Sequence, residues 1–247
     1  MLARADADEA RRLLPGVVRG EAILSLGLAS GPYVNHAENA DLLVLEADGQ
    51  LYAVDPDETK AVAQPAIDGL RRLSRIHWTP KPSDQPLGGA TNDELRAFAL
   101  DAAALCSAAM LVGIGQRAVD LAVAYAKERE QFGRPIGTFQ AVKHQLAEAT
   151  LQLEFARPLV YRGALTLGDG GERRAVDTSL AKAFASEAAE QATRTSLQVH
   201  GAIGYTWEHD LHLWIKSALS LARAWGDARW HRDRIGRYLF LAAGAAE

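Results

Sequence analysis

Ala102-Ala-Ala-Leu-Cys-Ser-Ala-Ala-Met-Leu-Val-Gly-Ile-Gly115 is the most apolar run in the chain. It carries no charge and puts apolar side chains on nearly every helical face, the pattern of a helix surrounded by other helices. A bilayer span needs about 20 such residues, so the run reads as the core of a bundle and not as a membrane anchor. Upstream, Thr91-Asn-Asp-Glu94 has the form of a capping box: the threonine oxygen accepts from a first-turn amide and the glutamate reaches back. Downstream the helical pattern carries to about Arg129.

More helices follow. One is expected from Thr138 to Leu167, bent at Pro158 and ended by Gly168-Asp-Gly-Gly171. An alanine-rich helix follows from Asp177 to His200 and stops at Gly201. Two more are expected, from Trp207 to Trp225 and from Ala228 to about Ala243. Long helices joined by short turns define an antiparallel bundle.

The first third reads differently. Seven of the nine prolines precede residue 90. Short strand-like runs occupy Ala22 to Leu28, Asp41 to Leu45, Gln50 to Val54 and Arg75 to Thr79, and Ala47-Asp48-Gly49 is a hairpin-type turn. Residues 20–80 therefore read as a small β unit after the end of a helix (Ala7 to Val18), with Pro80 to Gly89 as linker. The expected organisation is a mainly α protein: a reduced β domain over residues 1–89, then a helical bundle domain over residues 90–247.

With 27 basic and 31 acidic residues the formal charge is −4, which argues against a general nucleic-acid binder. Cys106 is the only cysteine, so neither an internal disulfide nor a zinc–thiolate cluster is expected, and a reducing, cytoplasmic setting is. The start of the chain carries acids where a signal peptide needs an apolar stretch. Neither a membrane nor nucleic acid is an expected partner.

Several motifs dissolve on inspection. Gly113-Ile-Gly115-Gln-Arg-Ala118 imitates a dinucleotide fingerprint but lies in mid-helix, where glycines allow close packing. His209 and His212, with His200 and His231 elsewhere, lack the paired Glu-x-x-His pattern of a di-iron bundle; solvated or capping roles fit them better, and no metal is expected. No Gly-x-Ser-x-Gly elbow or Walker loop is present.

Two segments stand out: Tyr125-Ala-Lys-Glu-Arg-Glu-Gln-Phe-Gly-Arg-Pro-Ile-Gly-Thr-Phe-Gln140 and Gln198-Val-His-Gly-Ala-Ile-Gly-Tyr-Thr-Trp-Glu208. Each is a charged or amide-bearing helix end followed by a glycine-relaxed turn. Such turns expose backbone amides that can receive phosphate oxygens, although ordinary turn chemistry explains them as well. Together they resemble the acyl-CoA dehydrogenase family, with its Arg-x-x-Phe-Gly and Gln-x-x-Gly-(Gly)-x-Gly-Tyr elements. The resemblance covers residues 92–240. It extends more loosely to Leu13-Leu-Pro-Gly-Val-Val-Arg-Gly-Glu21 and Ala37-Glu-Asn-Ala-Asp-Leu-Leu-Val44.

The resemblance implies FAD shared between neighbouring subunits. Arg129, Gln131 and Phe132 would reach its diphosphate and adenine side. Gln198 and the backbone around Gly201 and Ala202 would hold the adenosine part, Ala202 standing where the family has a second glycine. Arginine suits a diphosphate because its planar donors meet two oxygens at once.

The resemblance also implies a carboxylate that removes a proton beside the thioester carbonyl. Counting from Gln198 puts Trp225 at that position and Gly226 after it. Counting back from Arg129 puts Ala103 at the alternative position. Neither side chain accepts a proton. Asp227 and Asp101 are the nearby substitutes; helix capping is expected of the first and pairing of the second. The family's segment between Ser30 and Gly31, which contacts the flavin ring, and most of its N-terminal helical domain are missing too.

The implied function is that of a short, base-less subunit of a heteromeric acyl-CoA dehydrogenase of the sterol side-chain type. It would act on an acyl-CoA beside a larger homologous chain that supplies the base. Two other readings remain: a structural partner that binds no FAD, and a self-sufficient dehydrogenase using Asp227. Trp207, Trp214, Trp225 and Trp230 crowd the last helices, as core, interface or ligand wall.

Overall fold

The computed structural model describes residues 8–87, 92–171 and 173–244. The chain divides into two compact units, Met1–Leu100 and Asp101–Glu247. Thr91, the start of the expected capping box, lies outside the described residues, as do Ala7 and Gly88 and Gly89 of the linker.

In the first unit α1 (Asp8–Arg19) precedes β1 (Leu24–Gly27), β2 (Val34–Asn35), β3 (Leu42–Ala47), β4 (Gln50–Val54), β5 (Lys60–Gln64) and β6 (Leu73–His77). They form two three-stranded sheets, ordered β1-β3-β4 and β2-β6-β5, with β1 and β3 parallel. The expected hairpin joins β3 to β4. Asp48 and Gly49 both take positive φ, 50° and 74°, as a two-residue turn matching the strand twist requires. Leu43, Leu45, Tyr52 and Val54 form a small core with Trp78 against it. β5 was not expected, because Lys60-Ala-Val-Ala-Gln64 is exposed at an edge and buries no apolar face that would mark it.

α2 (Asn92–Glu128) starts in this unit. Asn92 Oδ1 accepts from Leu51 N at 2.8 Å and its Nδ2 donates to Gly49 O at 2.6 Å. Arg96 Nη1 pairs with Glu46 Oε1 at 3.0 Å, and Glu46 Oε2 accepts from Ala29 N at 2.9 Å.

The second unit holds the rest of α2, a hairpin of β7 (Glu130–Gln131) and β8 (Arg134–Pro135), then α3 (Gln140–Asp169), α4 (Arg174–His200), α5 (Leu211–Arg223) and α6 (Ala228–Gly244). The expected bundle is present. α4 packs on α3, α5 and α6 through alanines 181, 185, 188, 189 and 192, all buried. Gly115 permits a close approach, since a Cβ there would lie 2.5 Å from Leu153 Cδ2 and 3.3 Å from Ala189 Cα. Gly113 faces open space, so only one of the two glycines serves packing.

α3 runs without interruption through Pro158. Two expectations change. α5 begins at Leu211, not Trp207: a 3-10 turn over Gly201–Tyr205 intervenes, and His209 Nδ1 accepts from Leu211 N at 3.1 Å in place of a conventional cap. The apolar run of α2 is not enclosed on all sides, for Cys106, Ala109, Met110 and Gly113 form an exposed stripe. The whole of α2, 37 residues, is long and apolar enough to cross a membrane, although half of its most apolar window is buried against the rest of the protein.

Asp101 anchors the unit. Its carboxylate is fully buried and accepts from Arg174 Nε at 2.9 Å and from Arg234 Nη1, with Thr178 Oγ1 at 3.3 Å. One acid thus ties α2, α4 and α6 together. Removing it strands two largely buried cations, and losing one partner of a buried pair costs about 3 kcal/mol or more. Asp101→Ala should therefore lower the urea midpoint by an amount equivalent to about 3 kcal/mol.

Candidate cofactor site and the α5–α6 elbow

The first motif is built on the end of α2. Arg129 N donates to Tyr125 O at 2.8 Å, and Ile136 N donates back to Arg129 O at 2.8 Å, closing the hairpin. At its tip Phe132 and Gly133 both have positive φ, 55° and 75°. The turn pushes Phe132 into solvent, 91% exposed, and Arg129 and Gln131 are exposed beside it. Arg134 lies 4.3 Å over the Phe139 ring and so braces the hairpin. Gly137 seats the following turn against α2: a Cβ there would come within 2.9 Å of Ala126 O.

The second motif ends α4. Gly201 takes φ 62° and ψ −136°, a combination that glycine alone adopts readily. Gly204 is buried, with a hypothetical Cβ 3.0 Å from Leu197 Cδ1. Gln198 and Ala202 are exposed, Gly201 half-buried.

The fold brings the two motifs together. Tyr125 stacks on His200 with ring centroids 4.7 Å apart and planes 25° from parallel. Beneath them Ala122, Ala126, Leu146 and Val199 form one apolar cluster. His200 Nδ1 lies 2.7 Å from Ser196 O, and since a carbonyl only accepts, the proton sits on Nδ1. Burial holds this imidazole below its ordinary pKa, against the Ser196 hydrogen bond and with the nearby His209 adding to the lowering. Sequence reading missed Tyr125 and His200 as the joint, because their contact crosses 75 residues of chain.

The exposed groups suit an anionic nucleotide. One guanidinium and two side-chain amides lie exposed on two adjoining turns. A Cβ at Gly133 or Gly201 would meet nothing within 4 Å, so ligand atoms can approach the backbone there. This donor set fits the phosphate and adenosine end of FAD. In the first unit a cleft of about 280 Å³ opens between the ends of β1 and β2, lined by Gly27, Leu28, Ala29, Pro32, Val34 and Trp78. Ser30 and Gly31 are adjacent there in the chain.

Trp225 and Gly226 form the elbow between α5 and α6, with φ of 59° and 93°. Asp227 Oδ1 accepts from Trp230 N at 2.8 Å and caps α6. Ala103 lies on α2, and Asp101 is held by its two arginines. Among the described residues no group of three His, Cys, Asp or Glu side chains comes together as a metal site. His231 is fully buried, its Nε2 at 3.0 Å from Trp225 O and its Nδ1 at 3.1 Å from Ser179 Oγ.

The family description "Acyl-CoA dehydrogenase, C-terminal domain" matches residues 96–240, and this chain belongs to the acyl-CoA dehydrogenase family. The family is FAD-dependent. The chain is 35% identical over 211 residues to acyl-CoA dehydrogenase IpdE2 of Mycolicibacterium smegmatis, covering 84% of this chain and 61% of that protein. It is 35% identical over 196 residues to acyl-CoA dehydrogenase FadE34 of Mycobacterium tuberculosis, covering 77% and 27%. It thus spans about three fifths or less of the length of these relatives. Among solved structures, the Tcur3481-Tcur3483 steroid ACAD G363A variant aligns with TM-score 0.85 at 26% identity, over all of this chain and 74% of that one. Butyryl-CoA dehydrogenase from Megasphaera elsdenii aligns at 0.88 and 20% identity, over 97% and 74%, which shows the shared fold.

Burial first, then the charge of Lys182, lowers the His231 pKa to about 4. The unfolded chain takes up this proton near pH 6.5, the folded protein only near 4. The stabilisation is therefore complete above pH 6.5 and is lost as pH falls through that window, and the shift at His200 has the same sign. Between pH 7 and 5 the loss attributable to His231 should be about 2 kcal/mol. Denaturant titrations of the wild type and His231→Gln at both pH values read it as the difference in slope.

Proposed function

We propose that this chain is the base-less subunit of a heteromeric, FAD-dependent acyl-CoA dehydrogenase acting on a steroid-linked acyl-CoA. A longer homologous chain would supply the catalytic carboxylate, the acyl pocket and the flavin-ring contacts. One observation carries the reading. Arg129, Gln131, Phe132 and Gln198 are exposed on two turns that the Tyr125–His200 stack joins, whereas the elbow between α5 and α6 presents an indole and a capping aspartate. The steroid ACAD neighbour, whose name joins two components, supports both the partner and the substrate class.

In this reading Arg129 meets the diphosphate with two parallel donors, and Gln131 and Gln198 orient the nucleotide through their amides. Gly201 and Ala202 leave the adenosine side room against the backbone. Phe132 provides an apolar face beside it. Bound FAD supplies the acceptor for the hydride that leaves the carbon next to the deprotonated one. The proton itself goes to the partner's carboxylate, because indole at position 225 has no basic lone pair.

Arg129→Ala in the complex co-purified with its longer homologue should weaken flavin binding about 10- to 100-fold, as expected for losing hydrogen bonds to a charged group worth about 1.5–3 kcal/mol. Flavin absorbance per complex after gel filtration measures it. Unchanged flavin content would overturn the assignment of the site and favour a structural partner.

A further inference from the structure

α3 turns a row of large apolar side chains to solvent. Leu151, Phe155, Tyr161 and Leu165 are between 51% and 66% exposed, and Pro158 is exposed among them. Single exposed apolar residues are ordinary, but a contiguous patch marks a surface that something else covers. These five recur at steps of three and four, which is one helix face. Of the exposed residues from 151 to 165, only Glu154 and Arg162 are charged. The neighbouring helix continues the patch. α2 and α3 lie side by side and antiparallel: Gln116 Oε1 accepts from Arg157 Nη2 at 3.2 Å, and a Cβ on Gly163 would fall 2.8 Å from Leu105 Cδ1. Between these two contacts α2 exposes Ala109 and Gly113 on the face of Gln116, with Met110 beside them, all uncharged.

The row on α3 has the same character read in either direction from Pro158. Leu151 and Leu165 stand seven positions away on either side, Glu154 and Arg162 four, Phe155 and Tyr161 three. In two antiparallel copies related by a two-fold axis at Pro158, each of these residues lies level with its counterpart in the second copy. Leucine is then level with leucine, aromatic ring with aromatic ring, and Glu154 with Arg162 of the second copy. Like charges are never level. An unrelated partner imposes no such symmetry, whereas a two-fold contact must fit itself. Within the chain Glu154 Oε1 accepts from Arg157 Nη2 at 3.1 Å, and Arg162 Nε lies 3.2 Å from Asp177 Oδ1. A guanidinium has five donors and a carboxylate about four acceptor sites, so each can serve a second partner. At the crossing point the proline ring is short and rigid, and the two helix axes can approach closely there.

We propose that the outer face of α3, flanked by α2, is the contact between two copies of this chain, packed antiparallel about a two-fold axis at Pro158. The inference does not rest on the proposed function: the chain pairs with itself whether or not a longer homologue supplies the base. Phe155 and Tyr161 flank the axis on both sides and carry most of the affinity, as buried aromatic anchors do. Glu154 and Arg162, at the edges of the row, fix direction and register more than strength.

Cysteines placed along the row test this in the full chain, both alone and co-purified with its longer homologue. The exposed Cys106 is first replaced by alanine, so that only the introduced thiol reacts. Pro158→Cys should join two copies through a short bis-maleimide, giving a product of twice this chain's mass. Leu151→Cys by itself should give none, because its two copies stand about 21 Å apart along the paired helices. The same holds for Leu165→Cys by itself, but the two variants expressed together should cross-link. Phe155→Lys should weaken self-association about thirtyfold in sedimentation, the loss typical of an aromatic anchor, with helical circular dichroism unchanged. A Pro158→Cys product that contains the longer homologue in place of a second copy would overturn the proposal, as would a folded variant that gives no product. Leu151→Cys joining to itself would overturn the antiparallel geometry, and unchanged self-association in Phe155→Lys would overturn the assigned face. Cross-linking as expected in a complex that holds no flavin would refute the proposed function and leave this contact standing.

Discussion

Helix α4 has to pass through the middle of the bundle, and alanine makes that possible. With methyl groups at 181, 185, 188, 189 and 192, its neighbours approach closely enough to bury most of its residues between Val176 and His200, leaving Phe184, Glu187, Arg194 and Gln198 exposed. The same thinness gives Lys182, Thr178, Ser179 and Ser186 no route to water, so each must find its partner within the bundle. Ser186 bonds Lys182 on α4 itself, and the other three reach partners on other helices: Asp101 on α2, Ala222 on α5, His231 and Arg234 on α6. Specific register between helices follows from these polar contacts, since an apolar surface of alanine alone would tolerate slippage.

The same constraint shapes the two glycine turns and the α5–α6 elbow. At one end α4 stops at His200, whose ring is held by Ser196 O and covered by Tyr125, and the two glycine turns meet there. Further along α4, Lys182 and Ser179 reach the α5–α6 elbow, Ser179 by way of His231. The two glycine turns therefore rest on the Tyr125–His200 stack, with Arg129, Gln131 and Gln198 left outside. The elbow side is the reverse, with backbone carbonyls taken inward. The elbow's own carboxylate, Asp227, is spent on capping α6.

Much of this was legible from residue patterns. The long α2, the glycine stop at Gly201, the Asp48-Gly49 hairpin and the capping role of Asp227 all follow from local rules, because each depends on residues within a few positions of one another. The start of α5 was not legible: His209 substitutes for a usual cap, and histidine carries no such signal in sequence. Edge strand β5 escaped because it buries nothing. The exposed stripe of α2 escaped because apolar composition cannot say how many neighbours a helix has.

By itself the sequence determined the helical bundle, its β preface and the family. These depend on periodicity, turn chemistry and short motifs, which are local. Only the tertiary structure decided that Tyr125 meets His200, that Asp101 is shared by two arginines, and that Lys182 and His231 seize consecutive carbonyls. Those contacts join residues between 6 and 133 positions apart, and no local preference encodes them. They exist because close-packed helices leave buried polar groups a single set of partners within reach.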